Sequence, residues 1–544
     1  MPSADADDPG QELLLHGGRI YAAAHAAPAE ALLVRGGRVA ALGSEAEVRA
    51  AATPSARRFD LAGATVTPGL TDAHAHLTAW ALKRSHVDLN AAGTLDEALA
   101  LLGRAAAHGH GWLRGYGWDA NRWGAFPDRA ALDTTVPGRP VFLESHDLHS
   151  AWLNSAALER CGITRDTPDP AAGTIVRDAA GEPTGILLEN AAWLALAKLP
   201  QPARAEISAA LLEAQAELHR LGLTGVHSVE ADGLADFEAL YADGALRLRV
   251  LQTVPLEGLD AAIERGLRSG APPSAAQGIG DWLRVGGVKM FLDGALGSRT
   301  AWMRAPYTGE PENRGVQTLA SDDFRGHVRR AAAAGISSTV HAIGDAAVEL
   351  ALQVLGEVPP AALPHRIEHL QLCPPELWER VARSGIVASM QPVHLRNDIP
   401  AAERYWGHAR SRGAYAFRPL LDAGALLAFG SDVPVETVDP REGLFAAVRR
   451  VGWSGAPEEG WYDEHALTVR QALAAYTEGP ARAAGEAERR GRLEVGYDAD
   501  LVAWDRDPLA IEPDELLEMR CVLTAVGGEV VHDALAGVVT EVGD

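Results

Sequence analysis

Cysteine is scarce in this chain of 544 residues, and its three cysteines (Cys161, Cys373 and Cys521) lie far apart. They show no paired spacing, which argues against a disulfide framework and against a thiolate zinc site. Basic charge is also short, with 49 Lys and Arg against 73 Asp and Glu and a formal net charge of −24. Nucleic acids and anionic membranes need a basic face on their partner, so we expect neither partner.

Long apolar runs are missing as well. No uninterrupted stretch approaches the roughly 20 apolar residues that span a bilayer. Residues 1–11 are acidic and polar, without the basic and apolar regions of a secretory signal. We therefore expect a cytoplasmic enzyme with a small-molecule substrate, and base rates for such enzymes suggest a homodimer. The length exceeds what one hydrophobic core supports, so two or more domains are expected.

Both ends of the chain read as short strands separated by glycine-containing turns. The pattern covers residues 12–66 and returns in segments such as GRLEVGYDADLVAWD and CVLTAVGGEVVH near the C-terminus. Neither end has enough strand to close a sheet alone. We predict one composite β-sandwich from residues 1–66 and 480–544.

The region 67–479 alternates short apolar runs with helical stretches such as 207–222 and 345–358. Eight buried, non-alternating strands with intervening helices predict an α/β fold with a parallel sheet closed into a (β/α)₈ TIM barrel. A doubly wound open sheet is the alternative, but the glycine-rich phosphate loop that would favour it is absent. The eight predicted strands are ATVTPGLTDAH, LTGVHSVE, LRVLQTV, VGGVKMFLDG, ISSTVHAIG, HRIEHLQL, GIVASMQP and ALLAFGSDV.

About 150 residues separate the first two predicted barrel strands, and a further strand-like run (139–150) lies between them. This spacing predicts an insertion at about 80–200. We expect the insertion to lie over the active-site mouth of the barrel.

Polar side chains fall near the C-terminal ends of the predicted strands. His74 and His76 end the first strand, and alternate residues on a strand share a face, so both can bind one metal ion. An HxH motif alone is weak evidence, and its position at a strand end strengthens it. His341 and His369 end the fifth and sixth strands; each alone reads as a core histidine, but neutral imidazoles also suit zinc and similar metals.

Lys289 and Asp432 complete this set. Only three of the 49 basic residues are lysines, so a lysine on an apolar strand calls for a reason. It could extend to the barrel rim, form a Schiff base, or react with CO₂ to give a metal-bridging carbamate; the surrounding histidines favour the carbamate. Asp432, at the end of the last strand, either stabilises a turn or passes a proton from water to a leaving nitrogen.

The order HxH, Lys, His, His, Asp on strands one, four, five, six and eight resembles the amidohydrolase superfamily. The segments AHAHL, VKMFLDGALGSRTAWM, HAIGDAAV, RIEHLQ and SDVPV resemble its YtcJ-like branch, which includes N-substituted formamide deformylases. GYGWDANRW (115–123) and VFLESHDLHSAWLNSAAL (141–158) resemble that branch's insertion. The resemblance covers nearly the whole chain.

The resemblance implies a binuclear centre, commonly of two Zn²⁺ ions. His74, His76 and Asp432 would bind one metal, His341 and His369 the other, and carbamylated Lys289 would bridge them. The implied reaction is hydrolysis of a non-peptide C–N bond, of an amide such as an N-substituted formamide, by metal-activated hydroxide, with Lys289 and Asp432 as catalytic residues.

Substrate contacts are predicted in the insertion and in the loop after strand four. Two other functions stay open: a mononuclear-metal deaminase of the same superfamily, and a non-catalytic binding or regulatory protein on this scaffold. The candidate substrate-binding residues are Trp118, Asp119, Trp123, His146, Asp147, His149, Arg299 and Trp302.

Overall fold

A computed structural model describes residues 12–107, 111–124, 126–145, 150–170, 173–230 and 233–535. The chain divides into two compact units. The first unit comprises residues 1–78 and 211–544, and the second comprises residues 79–210. The second unit is therefore inserted into the first between two segments of its chain.

The first unit contains an eight-stranded parallel sheet whose strand order follows the chain order, which confirms the predicted barrel. Its strands are buried almost throughout, as expected for parallel strands covered on both faces. We name them β1 (Leu70–Ala75), β2 (Leu223–Ser228), β3 (Arg249–Pro255), β4 (Leu283–Phe291), β5 (Ser338–Ala342), β6 (Arg366–His369), β7 (Val387–Met390) and β8 (Leu426–Phe429).

The barrel is nearly closed where β8 meets β1. Beyond the strands, the Asp432 amide donates to the His74 carbonyl (2.7 Å) and the His76 amide donates to the Val433 carbonyl (2.8 Å). Gly430 makes this approach possible, because a Cβ atom there would lie 2.4 Å from the His74 nitrogen. The seam thus brings the first and last strand ends, with His74, His76 and Asp432, side by side.

Helices fill the connections of the barrel, and the predicted helices 207–222 and 345–358 are present with slightly different ends. The helices are Leu77–Arg84, Arg204–Arg220, Leu234–Ala242, Leu259–Glu264, Ser321–Ala333, Asp345–Glu357, Trp378–Ser384, Leu395–Tyr405, His408–Ser411, Phe417–Asp422, Pro440–Arg449, Val469–Tyr476 and Glu478–Ala483. Within the described residues, none of the helices combines the length and apolar character needed to cross a membrane.

The strands at the two chain ends form two further sheets. The N-terminal segment forms the four-stranded sheet alone, contrary to the expectation that neither end has enough strand to close a sheet, and the six-stranded sheet combines both ends. Leu501–Trp504 pairs antiparallel with Thr65–Pro68, so N- and C-terminal segments share one sheet. One buried hydrophobic core contains side chains from both segments, such as Leu15 and Leu523. The four-stranded sheet contains Arg38–Gly43, Ala31–Arg35, Leu13–His16 and Arg57–Asp60, with the helix Glu45–Ala51 nearby; the six-stranded sheet contains Glu529–Asp533, Cys521–Val526, Leu501–Trp504, Thr65–Pro68, Arg19–Tyr21 and Pro28–Ala29.

The inserted unit has its own six-stranded mixed sheet and its own hydrophobic cores. The strand-like run 139–150 contains the strand Val141–Ser145. Its placement over the barrel mouth stays a prediction. The strands, in sheet order, are Gly173–Arg177, Pro183–Glu189, Ser150–Leu153, Val141–Ser145, Leu113–Trp118 and Val87–Asp88; the helices are Leu95–Ala106, Ala120–Trp123, Arg129–Thr135, Ser155–Cys161 and Asn190–Leu196.

Candidate metal centre

The carboxyl ends of the barrel strands bring three predicted ligands into one buried group. Among the described residues, ligand atoms of His74, His369 and Asp432 all lie within 4.8 Å of one another. Asp432 Oδ1 is 3.2 Å from His74 Nε2 and 3.3 Å from His76 Nε2. Two imidazoles and a carboxylate at such distances can hold a divalent metal ion such as zinc.

His341 and Lys289 lie next to this group. The His341 and His369 rings are 4.5 Å apart between centroids, and the His369 and His74 rings are 4.9 Å apart. The Lys289 ammonium lies 5.0 Å from the ring centroid of Phe291, which is itself 5.2 Å from the His341 ring. The five strand ends therefore place the predicted residues close together.

Burial sets the charge state of several of these groups. It lowers the pKa of Lys289, although the carboxylates of Glu368 and Asp432 oppose that shift. Burial also lowers the pKa of His341 to about 3 and holds that of His369 well below its usual range. Neutral imidazoles are the form that binds metal.

The pKa of Asp432 is shifted in the direction opposite to that of an isolated buried acid. Burial alone would raise its pKa, but His74 and the hydrogen bond from His394 hold it well below the usual range. The residue also has φ of +62°, and His369 has φ of +69°. Non-glycine residues rarely adopt this left-handed conformation, and such strain clusters at functional sites.

A second layer of residues fixes His74. Its Nδ1 lies 2.5 Å from Glu368 Oε2, and Arg366 Nε donates to Glu368 Oε1 at 2.8 Å. Burial would raise the pKa of Glu368, but Arg366 holds it well below the usual range, so it accepts the Nδ1 proton. A carboxylate that accepts a hydrogen bond from one ring nitrogen of a histidine orients the other ring nitrogen toward a metal.

The remaining nitrogen of His74 gives a test of whether a metal fits. Nε2 is buried and has no hydrogen-bond partner among the described residues, although Asp432 lies close by. Buried polar atoms are normally satisfied. A metal ion held by His74, His76 and Asp432 would satisfy this atom, so the residues present fit such an ion.

His394 belongs to the site, and the sequence analysis missed it. It follows β7, and its Nε2 lies 3.0 Å from Asp432 Oδ2. Burial alone would lower its pKa, but the hydrogen bond to Asp432 and the nearby carboxylate of Glu436 raise that pKa to about 10. A single histidine in QPVHLRND has no spacing partner that would mark it in the sequence.

Asp293 is a second buried acid that the sequence analysis missed. Its carboxylate accepts backbone N–H bonds from Trp302, Ile343 and Gly344, and it lies 3.4 Å from His341 Nε2. A Cβ on Gly344 would lie 2.1 Å from the Trp302 carbonyl oxygen, so glycine is needed there. Asp293 thus fixes the loop after β4 against the end of β5.

The predicted substrate residues of that loop have structural partners. Arg299 forms an ion pair with Glu310, and its guanidinium lies 5.3 Å from the ring centroid of Tyr405. Trp302 is partly buried, and its amide is held by Asp293. These contacts order the loop, and a substrate contact of either side chain stays a prediction.

The predicted substrate residues of the insertion do not gain support. Trp118 is 1% exposed and its indole N–H donates to the Leu143 carbonyl at 3.0 Å. Trp123 packs at the edge of the same core, with its indole N–H on the Ala92 carbonyl. Asp119 accepts from the Arg122 amide at the start of a short helix. The other three, His146, Asp147 and His149, lie outside the described residues.

A family model of amidohydrolases matches residues 57–532. The chain belongs to the amidohydrolase family. The predicted resemblance to the YtcJ-like branch is confirmed by a match to the YtcJ protein of Bacillus subtilis, which is named as an amidohydrolase. The two are 34% identical over 494 residues, covering 88% of this chain and 91% of YtcJ.

Two further relatives match almost the whole chain. An N-substituted formamide deformylase from Arthrobacter pascens is 32% identical over 507 residues, covering 90% of this amidohydrolase and 92% of the deformylase. The crystal structure of an uncharacterized metal-dependent hydrolase from Pyrococcus horikoshii is 28% identical with a TM-score of 0.79, covering 93% of this chain and 99% of that chain. The protein is thus a metal-dependent hydrolase of the amidohydrolase superfamily.

Proposed function

We propose that this amidohydrolase cleaves a non-peptide C–N bond of amide type in a small molecule, with two divalent metal ions, commonly zinc, at the barrel mouth. The buried group of His74, His369 and Asp432 carries this proposal, since its ligand atoms lie within 4.8 Å of one another and His74 Nε2 lacks a partner among the described residues. Cytoplasmic location and a homodimer remain predictions.

His74, His76 and Asp432 would hold one metal, and His341 and His369 the other, with Lys289 as a carbamate between them. Lys289 suits this role because burial lowers its pKa, and a neutral amine can add to CO₂. An arginine would stay protonated and could not react. When bound, the metals would polarise the substrate carbonyl and lower the pKa of water.

Asp432 has the proton-transfer role. Its depressed pKa keeps it ionised, so it can accept a proton from water and deliver it to the departing nitrogen. This role is supported by the position of Asp432 at the seam, where its carboxylate lies within 3.3 Å of Nε2 of His74 and Nε2 of His76.

An apolar substituent on the substrate is favoured by Phe291. The residue is 49% exposed, although its ring adjoins His341 and Lys289. A half-exposed aromatic ring next to the reacting groups offers apolar surface to a bound molecule. Together with the likeness to the deformylase, this favours N-substituted formamides with an apolar N-substituent as the first substrates to test.

The test is a hydrolysis screen of the zinc-loaded protein with N-benzylformamide, other amides and aminated heterocycles. We expect amine and formate from the formamide. Asp432→Asn should lose roughly 10²- to 10⁴-fold in kcat, the contribution of general acid–base catalysis. Ammonia from the heterocycles without amide cleavage would favour the mononuclear deaminase, and turnover of neither class would favour a binding protein.

A further inference from the structure

His394 lies where β7 leads into the helix Leu395–Tyr405, with a side chain that is 15% exposed. Its two ring nitrogens face two carboxylates. Nε2 is 3.0 Å from Asp432 Oδ2, and Nδ1 is 3.7 Å from Glu436 Oε1. The ring is therefore held between the seam of the barrel and the segment that follows it.

The two oxygens of Asp432 have different neighbours. Oδ1 faces Nε2 of His74 (3.2 Å) and of His76 (3.3 Å), the nitrogens proposed to bind metal. Oδ2 lies 3.0 Å from Nε2 of His394. The Asp432 backbone is already fixed, because its amide donates to the His74 carbonyl. The rotation of the carboxylate is the freedom that remains, and the His394 contact restricts it.

We propose that His394 is a positioning residue of the metal centre. Its Nε2–H donates to Asp432 Oδ2 and thereby keeps Oδ1 aimed at the metal-binding nitrogens. Glu436 orients the imidazole from the other side, and its own carboxylate is held by the side-chain amide of Asn397. The assignment rests on the proposed function for its catalytic consequence, but its effect on the metal's ligands stands without any substrate.

The test compares His394→Leu with His394→Gln, because glutamine keeps an N–H donor near the position of Nε2 and leucine does not. Loss of an outer partner of a metal ligand costs roughly 10- to 100-fold in activity or metal affinity. We expect kcat of the leucine variant to fall by that factor with KM within about twofold, and the glutamine variant to recover most of it. His327→Leu, on the outer helix Ser321–Ala333, is the matched control and should behave as wild type.

A second readout separates this proposal from the proposed function. Metal-free protein is reconstituted with Co²⁺, and its visible absorption spectrum reports the ligand geometry in the absence of substrate. We expect a changed spectrum for His394→Leu and a wild-type spectrum for His394→Gln. A wild-type spectrum with leucine, or equal changes with both substitutions, would overturn the positioning role. A changed leucine spectrum in a protein that cleaves no amide would uphold it and refute the proposed function alone.

Discussion

The two ends of the barrel carry buried charge in opposite arrangements. At the N-terminal end, each arginine has a carboxylate partner, and the pairs join β3, β4 and the C-terminal segment. At the C-terminal end, Asp432 lies within 3.3 Å of three histidines, and His74 Nε2 has no hydrogen-bond partner among the described residues. The pairs of the N-terminal end are Arg249–Asp500 (2.9 Å), Arg284–Glu486 (3.0 Å) and Arg490–Asp498 (2.9 Å).

This contrast separates a stabilising use of charge from a functional one. At the N-terminal end the opposite charges satisfy one another through shared partners, since Glu486 also pairs with Arg490 and Asp498 also pairs with Arg489. At the C-terminal end, the converging histidines and carboxylate leave His74 Nε2 without a hydrogen-bond partner among the described residues. Asp432 and His369 also adopt the left-handed backbone conformation, a form of strain that clusters at functional sites. In (β/α)₈ enzymes the C-terminal end carries the chemistry and the N-terminal end carries stability.

Replacing Lys289, at the mouth of the barrel, should have the largest effect on activity. Lys289→Arg keeps the positive charge but cannot form a carbamate, because guanidinium does not lose its proton. We expect roughly a 10³-fold or larger fall in kcat, since metals contribute several kcal/mol to stabilising charge in the transition state. The measurement is amide hydrolysis with and without added bicarbonate, alongside thermal melting. Near-normal activity would refute the carbamate.

Breaking an ion pair at the N-terminal end of the barrel should lower stability and leave activity unchanged. Arg249→Leu removes the nearest cation from Asp500, whose side chain is only 10% exposed, and leaves Arg490 at 3.9 Å as its remaining ion-pair partner. We expect the free energy of unfolding to fall by about 3 kcal/mol, with kcat per folded molecule unchanged. Denaturant unfolding and steady-state kinetics check both parts.

The matched control for this pair is the double variant Arg249→Leu/Asp500→Leu. It removes both charges and should recover part of the lost stability. A double variant as unstable as the single one would contradict the unpaired charge as the cause of the lost stability. A large loss of kcat in either variant would show that the two ends are not separate in function.

A smaller effect concerns stability at acid pH. Burial lowers the pKa of His219 to about 4, and its Nε2 lies 2.9 Å from the Arg247 carbonyl oxygen. Between the unfolded pKa of about 6.5 and the folded one, only the unfolded chain takes up the proton, so acidification destabilises the fold. His219→Gln should remove about 1 kcal/mol of the stability lost between pH 7 and pH 5.5. An unaltered difference in unfolding free energy between these pH values would refute this role.

The sequence predicts the barrel because its strands follow a repeating pattern, and it predicts the inner ligands from their common position at strand ends. Eight buried runs with intervening helices mark the strands, and polar residues at strand ends mark the mouth. The second layer escapes prediction: Arg366 and Glu368 sit within a buried strand, and His394 follows another without a motif. Their roles depend on which strand ends meet across the barrel. Burial also escapes prediction, since Trp118 stands beside polar residues in the sequence but packs into a core in the fold.

The most direct test of the central claim is metal content per chain, measured by inductively coupled plasma mass spectrometry on the purified protein supplied with zinc and bicarbonate. The binuclear centre predicts about two equivalents of zinc per chain. About one equivalent would contradict the bridging Lys289 and favour a mononuclear site. No bound metal would contradict the metal centre itself.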